Sequence, residues 1–387
     1  MMNAMPDFDG VARYIMVGGF LGAGKTTAIA RFARHLTDRG LRVGLITNDQ
    51  STGLVDTVLL RSHGFAVEEI TGGCFCCRFD SLAQAAGELS RQARPEVFLA
   101  EPVGSCTDLL ATVSYPLRRM YGDQFRIAPL SVLVDPMRAA RILELIEGRP
   151  FSDKVSYVYR KQLEEADLIL INKCDELPQE LREGLVDALS ARFPRADVSC
   201  ISAKEGDGLD AWFEGLLASE GQIRPTMELD YDAYAAGEAC LGWLNATIVV
   251  ASERPVDGNA LLVRLAAELR ERISAAGGEI AHLKMTLDSP GGQLAAVSVV
   301  SSDAEPDLRE SLFDEVAGGT LILNLRAEFS PEELSVIVAE VLAEENRIGC
   351  GATLTCEHEE QFRPARPTPT HRLAVGETFM QGGTDRG

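Results

Sequence analysis

Three cysteines fall within four positions of the segment ITGGCFCCRFDS: Cys74, Cys76 and Cys77. Three thiolates on a short loop form a soft, anionic ligand set suited to Zn2+, with Co2+ and Cu+ as competitors. On an extended strand Cys74 and Cys76 would share one face and Cys77 the other, so the three converge only on a turn. The glycine pair Gly72 and Gly73 in front of them permits that turn. If CRFDSLAQAAGELSRQ opens a helix, the dipole at its start and Arg78 would lower the thiol pKa values. Three ligands leave a tetrahedral ion one position, which water, His63, Glu68, Glu69, a second subunit or a client protein could take. A redox switch and buried structural cysteines are the competing readings of the same residues. Cys106, Cys174, Cys200 and Cys240 stand singly in or beside apolar stretches and read as small packing residues. Cys350, Cys356 and His358 have a spacing that admits a second metal site, with His371 further on.

A second set of residues could handle phosphate. The segment GGFLGAGKTT, Gly18 to Thr27, contains G-x-x-x-x-G-K-T directly after an apolar strand and before a helix. Backbone amides around Gly22, Ala23 and Gly24 can face the phosphates, Lys25 can reach the β- and γ-phosphates, and Thr26, followed by Thr27, can ligate Mg2+. Further on, LINKCDEL supplies N-K-x-D as Asn172, Lys173 and Asp175. A carboxylate there accepts both N1–H and the 2-amino group of guanine, a pattern adenine lacks, so the nucleotide expected is GTP. CISAKEG then brings Ser202, Ala203 and Lys204 beside the base. Between these motifs, TNDQST and FLAEPVG end two strands with acidic groups, where phosphates and Mg2+ would sit. Asp49, Asp56 and Glu101 are the candidates to hold the metal or place the attacking water; with Lys25 they make up the expected catalytic set.

Positioning these groups requires alternating elements. RYIMVGG, LRVGLITN, EVFLAEP, LSVLVDP, ADLILINK and ADVSCISA read as buried parallel strands separated by amphipathic helices, which describes a doubly wound α/β domain with a mostly parallel sheet. This domain is expected over residues 1–222, with a polar, acidic linker at 223–239. A smaller α+β domain at 240–347, an antiparallel sheet with helices on one face, follows, and a Pro- and Arg-containing tail ends the chain at 348–387. His282, alone on one of its strands, reads as a satisfied sheet residue. The length of 387 residues suits two domains. A net charge of −21 opposes nucleic acid and anionic lipid. The start has no basic n-region, and no apolar run approaches a membrane span. Nine cysteines without a secretory signal argue for reduced thiols and a cytoplasmic setting.

Together GGFLGAGKTT, EPVG, NKCD and GGCFCC resemble the CobW, HypB and UreG class of P-loop GTPases, over about the first 220 residues. The resemblance implies GTP hydrolysis with Mg2+ at Thr26 and Glu101, and a Zn2+ or Co2+ site at Cys74, Cys76 and Cys77 between the two switch regions. It implies a metallochaperone whose partner is a client metalloprotein, with a second copy of the chain as a further partner. TNDQST is closer to the N-D-x-x-T of the urease and hydrogenase chaperones than to the N-E-F-G-E usual in the CobW branch. Two other roles stay open: a chaperone for a corrinoid or other metallocofactor enzyme, and a nucleotide-gated thiol redox sensor.

Overall fold

The structure is a computed structural model that describes residues 11–48, 55–348 and 351–373. Its first sheet holds β1 (Ala12–Gly19), β2 (Val43–Asn48), β3 (Val67–Ile70), β4 (Val97–Glu101), β5 (Phe125–Ile127), β6 (Ser131–Val134), β7 (Leu168–Ile171) and β8 (Asp197–Cys200). All pairings are parallel, in the order β3-β2-β4-β1-β6-β7-β8, and β5 pairs the start of β1. Along β1, Tyr14 and Met16 join Phe98, Ala100, Ile169 and Ile171 on one face. Ile15 and Val17 join Leu99, Leu133 and Leu170 on the other. Apolar side chains on both faces must be covered on both faces, which fixes the three-layer arrangement.

The covering helices are α1 (Lys25–Asp38), α2 (Val55–Ser62), α3 (Phe79–Ala93), α4 (Tyr115–Tyr121), α5 (Pro136–Ile142), α6 (Asp153–Glu165), α7 (Gln179–Arg192) and α8 (Leu209–Ala218). α1 and α8 close one side through stacked Phe32 and Phe213 rings, 4.1 Å apart. α3, α4, α6 and α7 close the other side with Phe79, Leu82, Tyr115, Val155, Tyr159, Leu185 and Leu189.

The segment expected as a linker is helical: α9 (Tyr231–Glu238) is capped by Asp230, whose side chain accepts from the amides of Asp232 and Ala233. It lies against α6 so closely that a Cβ on Gly237 would sit 2.4 Å from the Lys154 carbonyl. Its composition is polar because only a narrow face, Tyr234, Gly237 and Glu238, is buried.

The second sheet contains β9 (Leu241–Val256), β10 (Glu279–Asp288), β11 (Leu294–Val299), β12 (Asp307–Glu310), β13 (Val316–Glu328) and β14 (Ala352–Phe362), antiparallel in the order β12-β11-β10-β13-β9-β14. Helices α10 (Gly258–Ala275) and α11 (Pro331–Ile348) pack on one face. Both edge strands, DLRE and ATLTCEHEEQF, are charged and largely exposed. That charge deters further pairing, and it also hid them from a hydrophobic reading. The stretch expected as an irregular tail therefore contributes β14 before it leaves the sheet. The uncovered face of this sheet lies over the first domain: Val55 N–H donates to Asn324 Oδ1 at 2.9 Å, and Arg138 Nη2 donates to the Ala281 carbonyl at 3.1 Å.

Helix α6 ends in a buried carboxyl, Glu165, which accepts from Thr107 Oγ1 and Leu110 N–H. Burial, reinforced by the neighbouring charge of Asp108, raises its pKa from 4.5 to about 8. Between those two values the folded chain holds a proton that the unfolded chain has lost, so this group makes stability fall as pH rises through that window. Glu165→Gln keeps an acceptor and a donor but no titration. It is expected to flatten the decline of the urea midpoint across that window; an unchanged slope would show that Glu165 is not its source.

Candidate functional site

The carboxyl ends of β1, β2, β4, β7 and β8 open onto a cavity of about 960 Å3. After β1 the chain turns through Gly22 and Gly24, both at positive φ, directly into α1. A Cβ on Gly24 would lie 2.3 Å from Asn172 Nδ2, so the loop closes only around glycine. Lys25 is 7% exposed, donates to the Phe20 carbonyl at 3.3 Å and lies 4.0 Å from Glu101. Thr26 Oγ1 donates to Glu101 Oε1 at 3.1 Å. Lys25, Thr26 and Glu101 thus meet at one point. Asp49 lies outside the described residues; Asp56 belongs to the first turn of α2, and its side chain is outside them too.

The other end of the cavity is held by Asn172. Its Nδ2 donates to the Ala23 carbonyl and its Oδ1 accepts the Ala203 N–H, each at 2.9 Å, so one buried amide joins the glycine loop to the loop after β8. Lys173, with φ 58°, donates to the Gly22 carbonyl and to Asp135 Oδ2 at 2.6 Å. Burial alone would raise the pKa of Asp135, but Lys173 and Arg138 outweigh it and hold the carboxyl below its usual range. Asp175 stands exposed at the cavity mouth. Buried Ser202 accepts the Glu205 amide and keeps the loop turned.

The roof of the cavity is the uncovered face of the second sheet, including His282, Lys284, Ser298 and Arg309. Arg309 Nη1 donates to Thr27 Oγ1 at 2.9 Å. His282 is not a satisfied sheet residue: among the described residues its Nε2 has no hydrogen-bond partner. Burial first, and then Lys284, Arg326, Lys25 and Arg138, push its pKa well down, so the ring is neutral beside a cationic pocket. No sequence signal near His282 links it to a loop more than two hundred residues earlier.

On the opposite side of β2 and β4 the three cysteines converge on a turn. The amides of Cys77 and Arg78 both reach the Cys74 carbonyl. Sγ of Cys74 lies 2.6 Å from that of Cys76 and 3.2 Å from that of Cys77, and Cys76 and Cys77 are 3.6 Å apart. Among the described residues this trio is the group whose possible ligand atoms lie within 4.8 Å of one another. Asn48, at the end of β2, donates to the Ile70 carbonyl at 3.0 Å and the Gly73 carbonyl at 2.8 Å, and so anchors the glycine pair. Arg78 turns away from the thiols: its Nε donates to the Gly72 carbonyl at 3.1 Å. The thiols act on one another instead. Hydrogen bonds from Cys106, then Cys76 and Cys77, lower the pKa of Cys74, while Cys77 is pushed up to about 11, chiefly by Cys74.

Cys106 is therefore not a packing residue standing alone; it touches the cluster. His63 lies 3.7 Å from Glu310 of the second sheet. Cys356 is exposed, with Sγ on the His358 carbonyl at 3.5 Å, and Cys350 lies outside the described residues.

The chain after β14 lies back across the cysteine turn. Thr368 N–H donates to Cys77 Sγ at 3.2 Å, Thr370 N–H to the Cys76 carbonyl at 2.9 Å, and Thr370 Oγ1 to the Cys77 carbonyl at 3.1 Å. The His371 ring meets Phe79 edge-on at 5.1 Å.

A glycine loop that runs from a strand into a helix, with lysine and threonine at the helix start and N-K-x-D at a neighbouring strand end, defines a P-loop nucleotide-binding domain. Residues 13–198 match the family described as CobW/HypB/UreG, nucleotide-binding domain, so this part of the chain is similar to that class. Among characterised relatives, the zinc chaperone YeiR of Escherichia coli (strain K12) is 29% identical over 179 residues, covering 45% of this chain and 50% of YeiR. The zinc chaperone CobW of a Sinorhizobium species is 27% identical over 246 residues, covering 58% of this chain and 68% of the relative. The chain thus spans about half the length of the first and about two thirds of the second. The crystal structure of Zn(II)-bound YjiA GTPase from E. coli aligns with 86% of this chain and 99% of its own, at 17% identity and a TM-score of 0.38.

Two outcomes test this geometry. Asn172→Ala leaves the buried Ala23 carbonyl and Ala203 amide without their partner, and is expected to cost about 1–3 kcal/mol in urea unfolding; a loss below ~0.5 kcal/mol would mean water replaces the amide freely. Ending the chain after Phe362 removes the cover from Cys77 and is expected to raise its alkylation rate several-fold, since accessibility and thiolate fraction set that rate. An unchanged rate, read by mass spectrometry at Cys77, would show that the segment does not protect it.

Proposed function

We propose that the chain is a cytoplasmic, GTP-hydrolysing metallochaperone that couples its nucleotide state to the binding and delivery of a divalent metal, Zn2+ or Co2+, to a client metalloprotein. One observation carries the reading: the cysteine turn is tied to both walls of the phosphate cavity. Asn48, at the strand end where the first switch begins, holds Ile70 and Gly73. Glu101, bonded to Thr26, begins the loop that leads to Cys106. The relatives named as zinc chaperones support the metal, and the absence, among the described residues, of a helix long and apolar enough to cross a membrane accords with the setting.

In this reading the amides of Gly22, Ala23 and Gly24 cradle the phosphates and Lys25 reaches the β- and γ-phosphates. Thr26 and Glu101 would hold Mg2+, and their converging oxygens, that of Glu101 buried, fit a small hard cation; when bound it neutralises charge on the phosphates. Asp49 and Asp56 orient water for attack on the γ-phosphate. Asp175 accepts the guanine edge, while Asn172 and Lys173 hold the loop beneath it and Ser202 and Ala203 border it. Cys74, Cys76 and Cys77 carry the transferred metal, and the second domain meets the client. Loss of phosphate relaxes the loops at Asn48 and Glu101 and changes the hold on the metal.

Steady-state GTP hydrolysis with and without Zn2+ or Co2+ tests the coupling. Metal is expected to change turnover on the order of 5–100-fold, and the triple Cys→Ser variant at positions 74, 76 and 77 should lose that response while Lys25→Ala loses turnover itself. Rates indifferent to metal in the unaltered protein would sink the reading.

A further inference from the structure

We propose that Cys106 is the fourth ligand of the metal site, making it a four-thiolate centre with one ligand carried on the loop that follows Glu101. The proposal rests on the metal-binding reading of the cysteine turn and goes beyond it by naming the ligand through which phosphate and metal communicate.

Cys106 is 1% exposed, belongs to the same buried cluster as Cys74 and Cys76, and interacts with both thiols. It is held there from behind. Its amide donates to the Val103 carbonyl at 2.9 Å, and a single buried side chain, Gln162 of α6, donates to the carbonyls of Gly104 and Cys106 at 2.9 and 2.8 Å. The residues on either side are pinned by α6 and α9: Ser105 Oγ donates to Glu238, Thr107 N–H to the Tyr234 hydroxyl and Thr107 Oγ1 to Glu165. The segment expected as a linker thus builds the back wall of the cysteine pocket. Cys77 alone of the four thiols is half-exposed, and it faces the returning chain at Thr368. The ion would enter from the Cys77 side, with Cys106 at the buried end.

Cys106 shares one buried cluster with Cys74 and Cys76, against which half-exposed Cys77 packs, and these thiols have no apolar reason to face one another rather than neighbouring hydrophobic side chains. Tetrahedral Zn2+ takes sulfur at about 2.3 Å, so ligand sulfurs stand about 3.8 Å apart; a modest spreading of the crowded trio makes that room. On binding, each thiol still protonated exchanges its S–H bond for an S–metal bond and gives the proton to solvent, and no oxidant is involved.

Cys106 lies five positions after Glu101 in EPVGSC. Glu101 touches both Thr26 and Lys25, the two side chains that would hold Mg2+ and the terminal phosphates. A shift of this loop with nucleotide state moves a metal ligand directly, with no intermediate element. The three cysteines of the turn would remain when Cys106 withdraws, with a weaker hold on the ion, which could then pass to a client's ligand on the Cys77 side.

The test uses the full chain loaded with Zn2+ or Co2+. X-ray absorption should find four sulfurs on zinc in the wild type and three plus a lighter atom in Cys106→Ser, and the sulfur-to-cobalt charge-transfer band should fall by about a quarter. Competition with a chelator should show affinity at least about tenfold weaker, and the ratio of metal affinities between the GTP- and GDP-loaded forms should move towards one. Exposed Cys356→Ser is the control and should change none of these. If Cys106→Ser does not fold, cadmium NMR of the wild type counts coupled cysteines without a variant, with four expected. A three-sulfur wild-type site, or a Cys106→Ser protein with unaltered sulfur count and affinity, overturns the proposal while leaving the chaperone reading intact. A wild type that binds no metal overturns both.

Discussion

Arg138 is the residue on which the two-domain arrangement turns. Its guanidinium is buried between the Phe20 and Phe151 rings and donates to the carbonyl of Leu21 in the glycine loop and to those of Ala281 and Val300 in the second sheet. Burial works against its charge, and Asp135 offsets that cost. Asp135 is in turn paired with Lys173 of the N-K-x-D segment. One buried cation therefore joins the phosphate loop, the base loop and the roof of the cavity. Charge buried this deeply is tolerated only when it is paired and hydrogen-bonded, and these three bonds tie the parts to one geometry.

This linkage gives the second domain a share in the nucleotide site. A P-loop domain by itself leaves the strand ends open to water; here β10, β11 and β12 close over them and bring His282, Lys284 and Arg309 into the cavity wall. α2, which begins where the first switch ends, is fastened to the same sheet through Val55 and Asn324. The cover reduces contact with water and strengthens the charge interactions beneath it, while the mouth beside Asp175 stays open.

The cysteine turn sits across β2 and β4 from that cavity, so its neighbours are fixed by the same strands. Asn48 reaches it from one strand end and the loop after Glu101 from the other. Around that loop are buried carboxyls, Glu165 and Glu238, whose pKa values are raised by burial. A neutral acid donates as well as accepts a hydrogen bond, so such groups can hold a loop in place without adding charge beside thiolates.

What the amino-acid sequence determined alone was whatever is encoded locally. Buried parallel strands announce themselves as apolar runs, a phosphate loop needs its glycines, lysine and threonine consecutively, and three cysteines in four positions can converge only with a turn at Gly72 and Gly73. Hence β1, the Lys25–Thr26 pair, Glu101, Asn172 and the cysteine trio were all legible. Tertiary structure alone decided the rest. Cys106 read as an isolated packing residue because its partners lie some thirty positions earlier and meet it only when β4 is laid beside β1 and β2. His282 read as a satisfied sheet residue because strand periodicity tells which face a side chain takes, and not what covers that face; Arg309 carried no signal, since it lies on the charged edge strand β12. The charged edge strands β12 and β14 and the polar helix α9 lacked the hydrophobic pattern that marks an element, since each buries only a narrow face and owes its form to the neighbour it docks against.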